Sequence, residues 1–131
     1  MHERMLVGLH QRGYEDLIAA HLSVLQYPGP EDMRPSDLAT RTRMTKQALN
    51  YLLGQMEELG YLERVPDRAD QRFKRIRLTT RGRAASVAMR EIVLETEAEW
   101  EHALGPGQFA ELREILGRLS EAVAPAENGS P

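Results

Sequence analysis

Apolar residues recur at helical spacing near the start of the chain. They predict a helix over residues 14–26, which the breaker Pro28-Gly29-Pro30 then ends. A shorter helix is expected before it, at about residues 5–10. The apolar stripe of the longer helix consists of Tyr14, Ile18, Leu22 and Leu25.

Two further helices follow in close succession. Pro35 suits the first position of a helix and Asp37 its first turn, so we expect a short helix over residues 35–42. The hydroxyl of Thr45 can cap the next helix, which Gly60 ends. The apolar stripe of this second helix is Leu49, Leu52, Leu53, Met56 and Leu59.

The pattern then changes from helical spacing to two short runs typical of strands. Residues 61–65 and 74–78 contain β-branched or aromatic side chains and flank a polar segment, which predicts an antiparallel hairpin. Helical spacing returns over residues 83–104 and, after a Gly-Pro-Gly breaker, over residues 108–123. The two stripes are Met89, Val93, Thr96, Trp100 and Ala103, and then Phe109, Leu112, Leu116, Leu119 and Val123. Residues 124–131 are expected to form a disordered tail.

Composition narrows the class of protein. A chain of 131 residues has the size of one domain, and 41% hydrophobic with 28% charged residues is typical of a folded globular protein. No segment approaches the roughly 20 apolar residues that span a bilayer, and the start lacks a secretory signal. We therefore expect a cytoplasmic protein with no membrane partner. The absence of cysteine excludes disulfides, cysteine-ligated zinc and thiol-based redox sensing.

Charge is distributed unevenly along the chain. The net charge is −3, but residues 34–82 contain eleven Lys or Arg against six Asp or Glu, which gives +5 there and −8 in the remainder. A basic middle between acidic ends indicates a surface that binds a polyanion, carried on a scaffold that repels nucleic acid. From charge alone, a solvated surface without a partner is the alternative.

The order of elements, two helices joined by a tight turn and then a basic hairpin, is that of a winged helix-turn-helix. Residues 67–72, Asp-Arg-Ala-Asp-Gln-Arg, and residues 78–82, Leu-Thr-Thr-Arg-Gly, resemble the wing signature of the MarR family. That signature is an aspartate, then Asp-x-Arg, then Leu-Thr-x-x-Gly. Residues 36–39, 44–47 and 56–64 resemble the helix-turn-helix of the family and the start of its wing. The resemblance extends over about residues 12–123.

The resemblance implies a mainly α fold with a small antiparallel β wing, in which N- and C-terminal helices form a dimer. We expect one winged-helix domain over residues 1–123, with the helix-turn-helix and wing at about 34–82 and dimerisation helices at about 1–13 and 83–123. The apolar stripes of the last two helices also indicate a homodimer, because they exceed what one small domain can cover.

The expected function is that of a sequence-specific transcriptional regulator, most simply a repressor, that binds duplex DNA as a homodimer. Its operator would be an imperfect palindrome with half-site centres about 10 base pairs apart. The alternative is a winged-helix module that contacts protein through its wing and has no DNA target. The sequence contains no Gly-rich phosphate loop, nucleophile elbow or nucleotide fingerprint, so we do not expect an enzyme.

The outer face of the helix after Thr45 carries polar residues that can enter a major groove. These residues are Thr45, Lys46, Gln47, Asn50 and Tyr51. Gln47 and Asn50 can pair bidentately with adenine, and Lys46 suits guanine or a phosphate. The same residues can also be solvated positions of an amphipathic helix.

Basic residues crowd the tip of the hairpin. They are Arg68, Arg72, Lys74 and Arg75. Asp67 and Asp70 are placed to hold an arginine by charge-assisted hydrogen bonds, and Arg72 is then a probe for a narrow A·T-rich minor groove. Lys74 and Arg75 are expected to contact phosphates. The alternative is a salt-bridged turn without a ligand.

Few other residues are candidates for a site. His10, His21 and His102 lack the spacing of a metal cluster, so neither a metal nor a cofactor is expected. The resemblance implies a small aromatic or phenolic effector that weakens DNA binding from a cavity beside the dimer helices. Tyr14, His21, Tyr27 and Trp100 are of types that line such a cavity, although residues of these types more often belong to the core.

Overall fold

The computed structural model describes residues 2–26 and 28–128. These residues form α1 (His2–Gln11), α2 (Ala19–Leu25), α3 (Pro35–Thr42), α4 (Lys46–Glu58), β1 (Leu62–Pro66), β2 (Lys74–Leu78), α5 (Thr80–Leu104) and α6 (Pro106–Asn128). The fold is mainly helical with a small antiparallel wing, as predicted. The chain forms two compact units, and the boundary between them lies within α5, after Val93.

The core of the first unit receives side chains from every element between α1 and the first part of α5. The enclosed side chains include Leu9, Leu22, Leu38, Leu53, Leu62 and Ile76. Burial of one such aliphatic side chain contributes about 1.5–3 kcal/mol, so this cluster holds the helix-turn-helix to the base of the wing. α1 and α5 approach closely at Gly8, where an added Cβ would lie 2.7 Å from Cδ1 of Ile92.

The two helices of the helix-turn-helix form where the sequence predicted them. α3 begins at Pro35, and Arg43 ends it with a left-handed backbone conformation at φ 59°. The turn is short because Thr45 caps α4, its hydroxyl oxygen accepting from the N–H of Ala48 at 3.0 Å. The buried residues of α4 are Leu49, Leu52, Leu53 and Met56. The opposite side of the helix is exposed.

The wing hairpin pairs in register from Leu62 with Leu78 to Pro66 with Lys74. The other edge of β2 is covered by the segment that precedes α3. There the N–H of Asp32 donates to the carbonyl of Ile76, and the N–H of Ile76 donates to the carbonyl of Met33, both at 2.8 Å. The base of the wing is therefore held on both sides.

The helix predicted over residues 14–26 begins later in the structure, and the prediction of its first turn was wrong. Gly13 has a left-handed backbone conformation, at φ 99°, and ends α1. The N–H of Tyr14 then bonds back to the last turn of α1 at 3.0 Å, so the next residues form a turn and not a helix. As a result Leu17 is buried, and Ile18, which the predicted stripe placed inside, is 49% exposed.

The second unit consists of the end of α5 and of α6. α6 continues to Asn128, so residues 124–128, which were expected to be disordered, have helical backbone, and residues 129–131 lie outside the described part of the chain. The exposed apolar side chains of this unit include Leu94, Trp100, Leu104, Leu112, Ile115, Leu116 and Leu119, and the predicted Val123 lies outside the described side chains. Among the described helices, none is long and apolar enough to span a membrane.

A cluster of polar side chains joins three separate segments of the chain to one another. The hydroxyl of buried Tyr61 donates to Asp16, in the turn before α2. Arg81, in the first turn of α5, lies over the Tyr61 ring at 4.3 Å and pairs with Asp16 at 3.0 Å. It also donates to the carbonyl of Leu59, at the end of α4, at 2.6 Å. The cluster therefore joins the start of α2, the end of α4 and the start of α5.

The same contacts shift the acidity of both acidic groups in the cluster. Burial would raise the pKa of Asp16, but the hydrogen bonds from Tyr61 and Arg81 outweigh it and lower that pKa below its ordinary value. Burial, together with the hydrogen bond to Asp16, raises the pKa of Tyr61. The cluster is thus built around an ionised Asp16.

We expect Asp16→Asn to lower the free energy of unfolding at neutral pH by about 1–2 kcal/mol, because hydrogen bonds to a charged acceptor are lost. The folded-state pKa of Asp16 is depressed, so its contribution is complete above the unfolded value and is lost as the pH falls through the folded value. Urea unfolding of both proteins from about pH 7 down to about pH 2 should show the difference between them shrinking. Glu15→Gln, at the exposed neighbouring position, is the control; an equal difference at all pH values would contradict the assignment.

Candidate nucleic-acid interface

The exposed face of α4 carries the polar residues predicted to contact DNA. Thr45, Lys46, Gln47, Asn50 and Tyr51 are all exposed. The oxygen of Thr45 accepts from the helix backbone, so its hydroxyl proton is what it can offer to another molecule. Buried leucines behind this face hold it in a fixed position relative to the core.

Arg64 of β1 lies beside this face, where it pairs with Glu57, and sequence reasoning missed it. Its Nε donates to Glu57 Oε1 at 2.7 Å, and its Nη1 reaches Asn50 Oδ1 at 3.5 Å. The strand thus supports the side chain of Asn50. The contact spans 14 positions of sequence and two different elements, so no local pattern indicated it.

Asp70 holds Arg72 at the tip of the wing. Arg72 Nε donates to Asp70 Oδ1 at 3.0 Å and Nη2 donates to Oδ2 at 2.7 Å, a two-pronged pairing, while the N–H of Arg72 donates to Oδ1 at 3.1 Å. The hydrogen bonds from Arg72 lower the pKa of Asp70, and the pairing raises the pKa of Arg72. The Arg72 side chain is 83% exposed, so it is presented to solvent in a defined orientation.

The second wing aspartate binds an arginine that sequence reasoning did not select. Asp67 Oδ2 accepts from Arg34 Nη2 at 2.8 Å and from the N–H of Asp70 at 3.1 Å. The hydrogen bond from Arg34 is the main cause of the lowered pKa of Asp67. Arg34 precedes α3 and lies over the ring of Phe73 at 4.6 Å. The ion pair therefore fastens the wing loop to the helix-turn-helix.

The remaining basic residues of the wing divide into two groups. Arg68 and Lys74 are exposed, as their expected contacts with DNA require. The Arg75 side chain is only 11% exposed and donates to Asp32, whose backbone is left-handed at φ 62°. We therefore assign Arg75 to fastening β2 and not to a phosphate contact, in contrast to the expectation from sequence.

A cleft of about 330 Å³ lies between the start of α3, the first turn of α4 and the wing. Its lining includes Arg34, Lys46, Asn50, Arg72, Phe73 and Lys74. Four of these six side chains are basic. The cleft thus connects the exposed face of α4 with the wing tip in one surface rich in basic side chains, of which Arg34 is paired with Asp67 and Arg72 with Asp70.

The residues considered for an effector site occupy different surroundings. Tyr14 is half-buried, with its ring centroid 6.3 Å from that of Tyr61. His21 is buried and both of its ring nitrogens are in hydrogen bonds, to Ile18 and to Gln55. Trp100 belongs to the second unit and is 44% exposed, and Tyr27 lies outside the described residues.

Comparison with known sequences gives a match in the same region. A sequence model of the MarR family matches residues 16–72, from the turn before α2 to the wing tip. The exopolysaccharide II synthesis transcriptional activator ExpG of Rhizobium meliloti (strain 1021) is 28% identical over 94 residues. That match covers 72% of the chain and 48% of ExpG, so the chain spans about half the length of this curated relative.

Comparison with solved structures finds proteins of the same fold. The fold is similar to that of Streptococcus pneumoniae FabT in complex with DNA, with a TM-score of 0.79 and 20% identity over 95% of this chain and 90% of FabT. It is also similar to the reduced form of MarR from E. coli, with a TM-score of 0.72 and 25% identity over 90% of this chain and 87% of that one. The matched sequence and the shared fold include the same helix-turn-helix and wing, so the chain is similar to transcription regulators of the MarR family in this region.

Proposed function

We propose that the protein is a sequence-specific regulator that binds duplex DNA as a homodimer, with α4 in the major groove and Arg72 in the minor groove. The observation that carries this proposal is the continuous basic surface between α4 and the wing. The Arg34–Asp67 ion pair fastens the two parts of that surface to each other. A fixed distance between them means that both grooves of one duplex can be contacted with little loss of conformational freedom on binding.

In the major groove, the first turns of α4 supply the residues that read bases. Gln47 presents a donor and an acceptor side by side and suits adenine, while Lys46 suits guanine or a phosphate. Asn50 is supported by Arg64, which limits the directions in which its amide can bind. These residues give sequence preference, whereas Arg68 and Lys74 give affinity that depends on salt.

In the minor groove, Arg72 is the residue that enters. A narrow A·T-rich groove has an enhanced negative potential that attracts arginine. The pairing with Asp70 fixes the guanidinium before DNA arrives, so less side-chain freedom is lost on binding. The two wings of a dimer would therefore favour A·T-rich flanks around the palindrome.

The dimer is proposed to form through the second unit. Its exposed leucines, isoleucine and tryptophan form an apolar surface that a second copy can cover, as coiled-coil and bundle helices do. A two-fold dimer would place two α4 helices in successive major grooves, with half-site centres about 10 base pairs apart.

Repression is the proposed sign of regulation, because a dimer bound over a promoter excludes polymerase. The relative ExpG is named an activator, so we attribute the sign to the position of the operator and not to the fold. A small aromatic effector enters the proposal from the family resemblance alone. In this chain His21 already uses both ring nitrogens inside the fold.

Selection of fragments from a random duplex pool, followed by titration at several salt concentrations, tests the proposal. We expect enrichment of an imperfect palindrome and an affinity that falls steeply with salt, since bound counterions are released. A winged-helix module that binds protein would enrich no sequence and would bind a protein partner with little dependence on salt.

Arg72→Ala should weaken binding to the selected duplex by about 10- to 100-fold, because a charge-assisted contact of about 1.5–3 kcal/mol is lost. Asp70→Ala should also weaken it, although it makes the wing more positive, because Arg72 loses its orientation. Fluorescence anisotropy measures both, with Arg68→Ala as the control that removes one exposed wing charge. Tighter binding by the Asp70 variant would mean that charge alone governs the wing.

Asp67→Ala should loosen the wing loop, because the carboxylate that accepts from Arg34 and from the N–H of Asp70 is removed. Amide hydrogen exchange should accelerate at Asp70 while the buried turns of α4 keep their protection. Arg68→Ala, in the same loop, serves as the matched control. Unchanged exchange in the Asp67 variant would contradict a fastening role for the Asp67 carboxylate.

The combined substitution Leu116→Glu and Leu119→Glu should convert a dimer into a monomer, because two exposed apolar side chains of α6 become charged. Light scattering at micromolar concentration should give twice the chain mass for the unmodified protein and the chain mass for the variant. Glu111→Lys, a charge change at another exposed position of α6, should leave the dimer intact. A monomeric unmodified protein would refute the proposed assembly.

A further inference from the structure

Three polar side chains link the start of α2 to the exposed face of α4. The N–H of Ile18 donates to His21 Nδ1 at 3.1 Å, and His21 Nε2 lies 3.0 Å from Gln55 Oε1. Gln55 Nε2 in turn donates to the hydroxyl of Tyr51 at 3.3 Å. This relay runs from the backbone at the start of α2 to a residue of the proposed reading surface.

The hydrogen bonds of the relay all point in one direction. Because His21 Nδ1 accepts from a backbone N–H, it carries no proton, and a neutral imidazole then carries its proton on Nε2. Nε2 therefore donates to Gln55, which fixes the amide with its oxygen towards His21 and its nitrogen towards Tyr51. The orientation of the Gln55 amide is thus set by His21.

Tyr51 receives the last bond of this relay as an acceptor. Its ring is 69% exposed, and its own hydroxyl proton remains to be donated outwards. A tyrosine hydroxyl can normally either donate or accept, so it does not distinguish acceptors from donors on a partner. The relay removes that ambiguity because the inward side of the hydroxyl is already filled by a donor.

We propose that Tyr51 is a dedicated hydrogen-bond donor to an acceptor atom on DNA, and that His21 and Gln55 are positioning residues that impose this role. The inference rests on the proposed function. The acceptor is either a purine N7 or O6 in the major groove or a phosphate oxygen, which share the same chemistry towards an O–H donor. His21 thereby acts on DNA recognition without touching DNA.

A double-mutant cycle on the selected duplex tests the role of Gln55. Gln55→Glu keeps an acceptor for His21, but its second oxygen accepts from Tyr51, so the hydroxyl turns inwards and the outward donor is lost. Tyr51→Phe should weaken binding by about threefold to tenfold. In the chain that keeps Tyr51, Gln55→Glu should weaken binding more than it does in the Tyr51→Phe chain, where only the added negative charge acts. The two effects should differ by the factor that Tyr51→Phe alone costs. Equal effects of Gln55→Glu in both backgrounds would overturn the proposal.

His21→Leu extends the test to the buried end of the relay. After correction for the fraction folded, it should weaken binding in the unmodified chain and cause no further loss in the Tyr51→Phe chain. A merely structural role would give the same loss in both. If the His21 variant does not fold, the Gln55 cycle still decides the question.

The choice of duplex distinguishes a base acceptor from a phosphate acceptor. It also distinguishes failure of this inference from failure of the proposed function. If Tyr51 contacts a base, Tyr51→Phe weakens binding to the selected duplex but not to a scrambled one; if it contacts a phosphate, both weaken equally. Absence of duplex binding by the unmodified protein would refute the proposed function. Binding that is intact in Tyr51→Phe would refute this inference alone.

Discussion

The ion pair between Arg34 and Asp67 joins residues 33 positions apart and sets the distance between the helix-turn-helix and the wing. Asp67 also accepts from the N–H of Asp70, and Asp70 in turn orients Arg72. The position of the exposed arginine at the tip therefore depends on a contact made at the start of α3. Removing the carboxylate of Asp67 would detach the wing loop from the start of α3, while the buried apolar cluster would still hold the base of the wing.

Several of the basic residues between positions 34 and 82 are paired with acidic residues of the same chain. Arg64 pairs with Glu57, Arg75 with Asp32 and Arg77 with Glu63. The first two pairs fasten the hairpin to neighbouring elements and the third joins its two strands, so a count of basic residues overstates the charge presented to a partner. The exposed charges are concentrated instead on the first turn of α4 and on the wing tip, and their arrangement is more informative than the net charge of −3.

Sequence reasoning succeeded where the determining contact is local. Thr45 caps α4 three residues ahead, and Asp70 binds Arg72 two residues ahead, so both could be predicted from spacing. The start of α2 was misplaced because the left-handed Gly13 reverses the chain before an apolar pattern that suits a helix. The contact of His21 with Gln55 spans 34 positions and joins two helices, so no periodicity could reveal it. Sequence therefore predicted the exposed polar face of α4 but not the residues that support it.

The backbone pairing of Asp32 and Met33 with Ile76 gives the hairpin a closed flank. A two-stranded ribbon with an open side tends to recruit a strand from another molecule, and it twists freely when its tip is altered. Here the base is anchored independently of residues 67–73. Insertions or exchanges in that loop can therefore change the shape and charge of the wing tip without refolding the rest, so the surface presented there can diverge between relatives while the fold is kept.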